Sequence, residues 1–94
     1  MWLQTMSMAK VVLYTKVPCG YCVAAKRFLT LAKGVSEIEE IDLTGDYEAR
    51  MDLAERTGMR TVPQIFIGDV HVGGYTELRA LDRAGDLDPL LAAK

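Results

Sequence analysis

The chain has 94 residues, half of them apolar, which is enough for one compact core and too few for two domains of ordinary size. Eleven Lys and Arg against thirteen Asp and Glu give a net charge of −2, and the two signs are interspersed, so no nucleic-acid-binding surface is predicted. No apolar run approaches the roughly 18 to 20 residues that cross a bilayer, so no membrane partner is predicted either.

The chain begins with M-W-L-Q-T-M-S-M, which lacks both the positive start and the long apolar stretch of a signal peptide. Residues 1–8 are therefore interpreted as a loose leader, and a single domain is predicted to span residues 9–94. Residues 9–16 read A-K-V-V-L-Y-T-K, which is rich in β-branched and aromatic residues and almost continuously apolar. This pattern predicts a central strand covered on both faces.

The next elements are predicted to be a helix over residues 20–33 and a strand over residues 35–43. Glycine at position 34 offers a left-handed stop between them. The apolar residues of the helix recur at intervals of three and four: Cys22, Ala25, Phe28, Leu29 and Ala32.

Asp46 is predicted to cap a second helix that runs to about Thr57, with Gly58 ending it. Three apolar residues of this helix share one face: Tyr47, Met51 and Ala54.

The stretch T-V-P-Q-I-F-I-G-D-V-H-V-G-G, residues 61–74, predicts two short antiparallel strands joined at Gly68-Asp69. Thr76 is predicted to cap a third helix that Gly85 ends, and Asp88-Pro89 to start a last short turn. The order β-α-β-α-β-β-α predicts an α/β fold with a four-stranded mixed sheet flanked by helices. Its first two strands are expected to be parallel because a crossover helix joins them.

The two cysteines of the chain, Cys19 and Cys22, lie in V-P-C-G-Y-C directly after the first strand. A structural zinc site wants four ligands, and besides these thiols the chain offers only the distant His71, which is predicted to be a satisfied or solvent-facing side chain. A structural disulfide across three positions closes so short a loop that it stabilises little. Redox chemistry in a reducing compartment, by default the cytoplasm, is therefore the favoured interpretation.

Cys19 is predicted to begin the helix, where free N–H groups and the helix dipole favour a negative sulfur. The backbone amides of Tyr21 and Cys22 are expected to donate to this sulfur, and Lys16 adds a positive charge upstream. Cys22 lies one turn deeper among apolar positions, so it is expected to be less exposed and less reactive than Cys19.

Three motifs between about residues 9 and 91 resemble, in order, the signatures of glutaredoxins: T-K-V-P-C-G-Y-C, T-V-P-Q-I-F-I-G and V-G-G-Y-T-E-L. The resemblance implies a thioredoxin-like fold and a glutathione-dependent thiol–disulfide oxidoreductase that reduces glutathionylated and disulfide-containing proteins as a monomer. It implies that Cys19 is the nucleophile and Cys22 the resolving thiol. It also implies a set of residues around glutathione: Lys16, Tyr21, Arg50, Thr61, Val62, Pro63, Gly74, Tyr75 and Thr76.

The resemblance further implies a cis bond before Pro63, which would leave the Val62 backbone free to pair with glutathione. Many dithiol members have proline where this chain has Gly20, and an acidic pair where it has Thr76-Glu77. With glycine at position 20, the cysteine motif resembles that of family members that hold a [2Fe-2S] cluster between two subunits with two glutathiones. A cluster carrier is therefore the alternative function.

Overall fold

The structure is a computed structural model that describes residues 8–93. Apart from Met8, the predicted leader lies outside the described residues. No helix in this part of the chain is both long enough and apolar enough to span a membrane.

The predicted mixed sheet is confirmed, with four strands in the order β2-β1-β3-β4. The strands are β1 Val11–Thr15, β2 Ile38–Asp42, β3 Gln64–Ile67 and β4 Val70–Gly73. β1 pairs parallel with β2 and antiparallel with β3, and β3 pairs antiparallel with β4. β2 is shorter than predicted because the amide of Val35 bonds to the carbonyl of Leu29, 3.0 Å away, and so ends the preceding helix rather than starting the strand.

Within residues 8–93, four α-helices flank the sheet: α1 Gly20–Arg27, α2 Tyr47–Thr57, α3 Tyr75–Arg83 and α4 Leu87–Ala92. The predicted helix 20–33 consists of two segments: α1 is followed without a break by a π-helical segment, Phe28–Ala32. The amide of Lys33 donates to the carbonyl of Phe28, five residues back, at 3.2 Å.

The predicted start of the third helix is wrong, and the predicted last short turn is a helix that begins one residue earlier. α3 begins at Tyr75 with Gly74 as its N-cap, so Thr76 lies inside the first turn rather than capping it. The Gly74 amide donates to Glu77 Oε1 at 2.8 Å, which is the contact that the third helical residue makes with the N-cap amide in a capping box. α4 begins at Leu87, which places Pro89 in the first turn, where a missing N–H leaves no partner unsatisfied.

The predicted N-cap and end of α2 are confirmed. Asp46 Oδ1 accepts a hydrogen bond from the amide of Ala49 at 3.0 Å, and Gly58 ends the helix at a φ of 79°. The face that carries Tyr47 and Met51 points to solvent, with exposures of 71% and 40%. Leu53 is the buried residue of α2, so the helix packs through a narrow stripe.

The core lies on the face of the sheet that α1, α3 and α4 cover. β1 and β3 contribute Val11, Leu13, Ile65 and Ile67, which are almost completely buried. The helical segments contribute Ala25, Leu29, Leu78, Leu87 and Leu91, and Val35, in the loop before β2, completes this cluster. Burial of these side chains fixes which residues of β1 and β3 face inward, and hence the register of the sheet.

We predict that Asp46→Ala lowers the free energy of unfolding by about 1 kcal/mol, because it removes the N-cap of α2. Asp46→Asn keeps a side-chain oxygen at the cap and should retain most of the stability. Urea unfolding at pH 7 measures both variants, and equal losses in the two would contradict a capping role.

Candidate active site

Three loops meet at one end of the sheet because of the strand directions. β1 ends at Thr15, and its antiparallel neighbour β3 begins at Gln64, which is paired with Tyr14. β4 runs antiparallel to β3 and ends at Gly73, beside the start of β3. The segment before α1, the segment before β3 and the N-terminus of α3 are therefore brought together.

Cys19 is the N-cap of α1, with an extended backbone at φ −158° and ψ 103°. Its sulfur accepts a hydrogen bond from the amide of Cys22 at 3.1 Å, as expected for one of the two predicted donors. The two cysteines form a disulfide with a Cα–Cα separation of 5.3 Å. Cys22 is only 4% exposed whereas Cys19 is half-buried, so the predicted difference in depth is confirmed.

The segment before β3 faces the Cys19 sulfur through its backbone. The carbonyl oxygen of Val62 lies 3.8 Å from Cys19 Sγ. The Val62–Pro63 bond is cis, as the resemblance implies, and the Val17–Pro18 bond is also cis. A Cβ at Gly74 would lie 3.4 Å from the Pro63 carbonyl oxygen, so the start of α3 packs closely against this segment.

Two of the predicted tyrosines lie together beside the start of α1. The rings of Tyr21 and Tyr75 have centroids 6.1 Å apart, and Tyr21 is 67% exposed. The orientation of Tyr75 is fixed by Arg79, whose Nη1 donates a hydrogen bond to the tyrosine hydroxyl at 2.8 Å. The structure therefore joins both predicted tyrosines to the cysteine loop.

A cavity of about 500 Å³ opens beside Cys19 and is lined by Lys16, among others. Sequence reasoning missed the carboxylate on its wall, Glu40 of β2. Glu40 accepts hydrogen bonds from Lys26 Nζ at 2.8 Å and from Thr15 Oγ1 at 3.0 Å. The hydrogen bond from Lys26 lowers the pKa of Glu40 below its ordinary value, and the bond from Thr15 lowers it further by a smaller amount. Partial burial of the carboxylate raises the pKa but does not cancel these effects.

The remaining predicted site residues are less closely joined to the cysteines. Arg50 and Thr76 are exposed, and none of the contacts found within residues 8–93 connects either side chain to Cys19. Thr61 is also exposed, and its backbone carbonyl accepts a hydrogen bond from Gln64 Nε2 at 3.0 Å.

His71 has the satisfied environment that the sequence predicts. Its Nε2 lies 3.1 Å from the side-chain oxygen of Gln64. Over the described part of the chain, no group of three or more His, Cys, Asp or Glu side chains is placed to hold a metal ion.

Comparisons with known proteins agree with this geometry. The family model named Glutaredoxin matches residues 11–72, more than half of the chain. The chain belongs to the glutaredoxin family. A glutaredoxin of Pseudomonas aeruginosa is 51% identical over 86 residues, which cover 92% of this chain and 100% of that protein. Glutaredoxin 3 of Escherichia coli is 49% identical over 84 residues, 89% of this chain and 99% of that one.

Solved glutaredoxin structures share the fold. A crystal structure of a buckwheat glutaredoxin–glutathione complex superposes with a TM-score of 0.77 at 34% identity, covering 88% of this chain and 76% of that one. The solution structure of a Brucella melitensis glutaredoxin gives 0.76 at 48% identity, covering 92% and 91%. The thioredoxin-like fold is thereby confirmed, and this glutaredoxin is a thiol–disulfide oxidoreductase.

We predict that the glutaredoxin loses more stability on acidification than its Glu40→Gln variant. The pKa of Glu40 is lowered in the folded state, so its stabilising contribution is complete above the ordinary value of 4.5 and is lost as the pH falls through the lower folded value. Urea unfolding between pH 6 and pH 3 measures the difference. Lys26→Met should flatten the pH dependence partially, and parallel curves for all three proteins would contradict the assignment.

Proposed function

We propose that this glutaredoxin uses glutathione as its reductant, with Cys19 as nucleophile and Cys22 as resolving thiol. The observation that supports this most directly is the position of the Cys19 sulfur. It caps a helix N-terminus, is partly open to solvent and faces the Val62 backbone across 3.8 Å. A helix N-terminus favours a thiolate, and a thiolate is the nucleophile in thiol–disulfide exchange.

The proposed reaction has two exchanges. The Cys19 thiolate attacks the glutathione sulfur of a mixed disulfide, the old S–S bond breaks, and the substrate leaves as a thiolate that takes up a proton. A second glutathione thiolate then attacks the glutathione sulfur bound to Cys19, forms glutathione disulfide and releases the Cys19 thiolate. With a protein disulfide, Cys19 forms the mixed disulfide, and Cys22 attacks Cys19 Sγ and expels the product.

Glutathione would lie along the segment before β3, pairing with the Val62 backbone as a short added strand. The buckwheat relative was solved as a glutathione complex, which supports a comparable ligand here. Lys16 and Arg50 would meet the glycyl carboxylate, and the amides of Tyr75 and Thr76 at the start of α3 would receive the γ-glutamyl carboxylate. The groove would be completed by Tyr21, Thr61, Pro63 and Gly74.

The proposed partners are glutathione and proteins that carry glutathionylated cysteines or disulfides. Two cysteines that cycle between thiol and disulfide suit a reducing compartment, so we place the activity in the cytoplasm. One chain supplies every group named in the reaction, so we propose that the monomer is active.

We predict that Cys19→Ser reduces turnover of a glutathionylated peptide to about 1% of wild type or less, because a serine hydroxyl is scarcely ionised and cannot form the mixed disulfide. Cys22→Ser should keep about half of the rate or more, since the two glutathione exchanges need only Cys19. Steady-state assays with glutathione as reductant measure both. Equal losses would contradict the division of roles, and reduction only by a thioredoxin reductase would contradict glutathione dependence.

The alternative function, a [2Fe-2S] carrier in a glutathione-bridged dimer, is supported by Gly20 alone. A Cβ built at Gly20 meets no heavy atom within 4 Å, so packing does not require glycine there. We predict that protein purified under nitrogen with glutathione is a colourless monomer. The visible spectrum and solution mass test this, and a brown dimer that bleaches when glutathione is removed would favour the carrier.

A further inference from the structure

Gln64, the first residue of β3, is a buried amide whose hydrogen-bonding groups are all occupied. The residue is 1% exposed and directly follows the cis Val62–Pro63 bond. Its Nε2 donates to the carbonyl of Met59 at 2.9 Å and to that of Thr61 at 3.0 Å. Its Oε1 lies 3.1 Å from Nε2 of His71 on β4. The side chain therefore ties β4 to the segment that precedes Val62.

The chemistry of these partners fixes the orientation of the amide. Backbone carbonyls only accept hydrogen bonds, so the nitrogen of Gln64 must face Met59 and Thr61 and its oxygen must face His71. His71 must then donate from Nε2. The neutral Nε2–H tautomer and the imidazolium both do so, whereas the Nδ1–H tautomer leaves a buried oxygen without a donor.

The imidazole of His71 is itself held in place. His71 is the cross-strand partner of Phe66, and the two ring centroids lie 4.8 Å apart. On its other side Phe66 packs edge-on against Tyr14 of β1, with centroids 5.8 Å apart. The donor that orients Gln64 is therefore anchored on three strands rather than on a mobile side chain.

The segment that Gln64 holds, residues 59–61, directly precedes the backbone that faces the reactive sulfur. Gln64 holds the carbonyl of Thr61, the next residue is Val62, and the Val62 carbonyl lies 3.8 Å from Cys19 Sγ. At the other end, the amide of Met59 donates to Thr57 Oγ1 at 3.1 Å. The hydrogen-bond partners of Gln64 are Met59, Thr61 and His71, so we expect a change in its amide to displace the Val62 backbone more than it displaces Cys19.

We propose that His71 and Gln64 are positioning residues that hold the Val62 backbone where it pairs with glutathione joined to Cys19. This role rests on the proposed glutathione function. His71 and Gln64 act through the Val62 backbone, since neither is in contact with the Cys19 sulfur. Loss of the His71 donor should weaken binding of the glutathionyl group and leave the intrinsic reactivity of Cys19 unchanged.

A matched pair of variants at one position isolates the donor. His71→Gln places an amide N–H at a similar distance from the backbone, whereas His71→Met has similar length and no donor. We expect His71→Met to raise KM for a glutathionylated peptide about ten-fold with kcat within about two-fold, as for loss of a hydrogen bond to a buried amide. His71→Gln should restore KM to within about two-fold of wild type.

Two further measurements separate positioning from general loss of structure. Alkylation of reduced Cys19 by iodoacetamide does not use Val62, so its rate should be equal in wild type and both variants. Ile67→Val, at the far end of β3, is a destabilising control that should leave KM unchanged. Nitrogen NMR of His71 should show hydrogen on Nε2 at neutral pH.

The results are distinguishable from failure of the proposed function. Wild type that does not turn over the glutathionylated peptide would overturn that function. An active wild type with equal KM in His71→Gln and His71→Met, or an Nδ1–H tautomer, would overturn the positioning role alone. A fall in the alkylation rate that parallels the loss of turnover would assign the effect to the sulfur and would also overturn it.

Discussion

The hydrogen bond from the Cys22 amide to the Cys19 sulfur is the contact on which the site depends. Cys19 is the N-cap of α1, and Cys22, three residues later, is the third residue of the helix. A capping side chain accepts from the amide at this position, so the spacing C-x-x-C is also the spacing of a helix cap. The sulfur thus occupies the place usually taken by Ser, Thr or Asp, where the helix end favours negative charge.

The sheet carries this arrangement because antiparallel pairing brings loop ends together from distant parts of the chain. Tyr14, near the end of β1, is opposite Gln64, at the start of β3, although fifty positions separate them. The cysteine segment and the Val62–Pro63 segment therefore lie at one edge. The closeness of Gly74 to the Pro63 carbonyl adds the start of α3 to the same edge.

Local signals predicted the order of elements and several boundaries, because they act within one turn of chain. The Asp46 cap and the Gly58 stop of α2 are both of this kind. The start of α3 was missed because its N-cap is Gly74, a residue with no side chain to signal a cap, whose backbone amide is bonded by the side chain of Glu77. The sequence placed Tyr47 and Met51 on one face of α2 but did not say whether that face is buried, because amphipathic spacing does not say which stripe the sheet will cover.

The polar contacts around the site could not be predicted, because they join residues far apart in the chain. Thr15 and Glu40 are 25 positions apart, and only the parallel register of β1 and β2 brings them within 3.0 Å. No short motif encodes such a pair. Lys26, which donates to the same carboxylate, is about half-exposed on α1, and the apolar spacing of that helix does not single it out.

The irregular pairing of β3 with β4 shows how strongly the site depends on register. Ile65 pairs with Gly73 and Phe66 with His71, so Val72 is an extra, unpaired residue of β4 between these two pairs. In a regular ladder Phe66 would face Val72, and His71 would move one place along and to the opposite face of the sheet. The extra residue therefore puts His71 on the same face as Gln64 while keeping the strand end, Gly73, opposite Ile65. A single inserted residue satisfies the buried amide and places the start of α3 at the site.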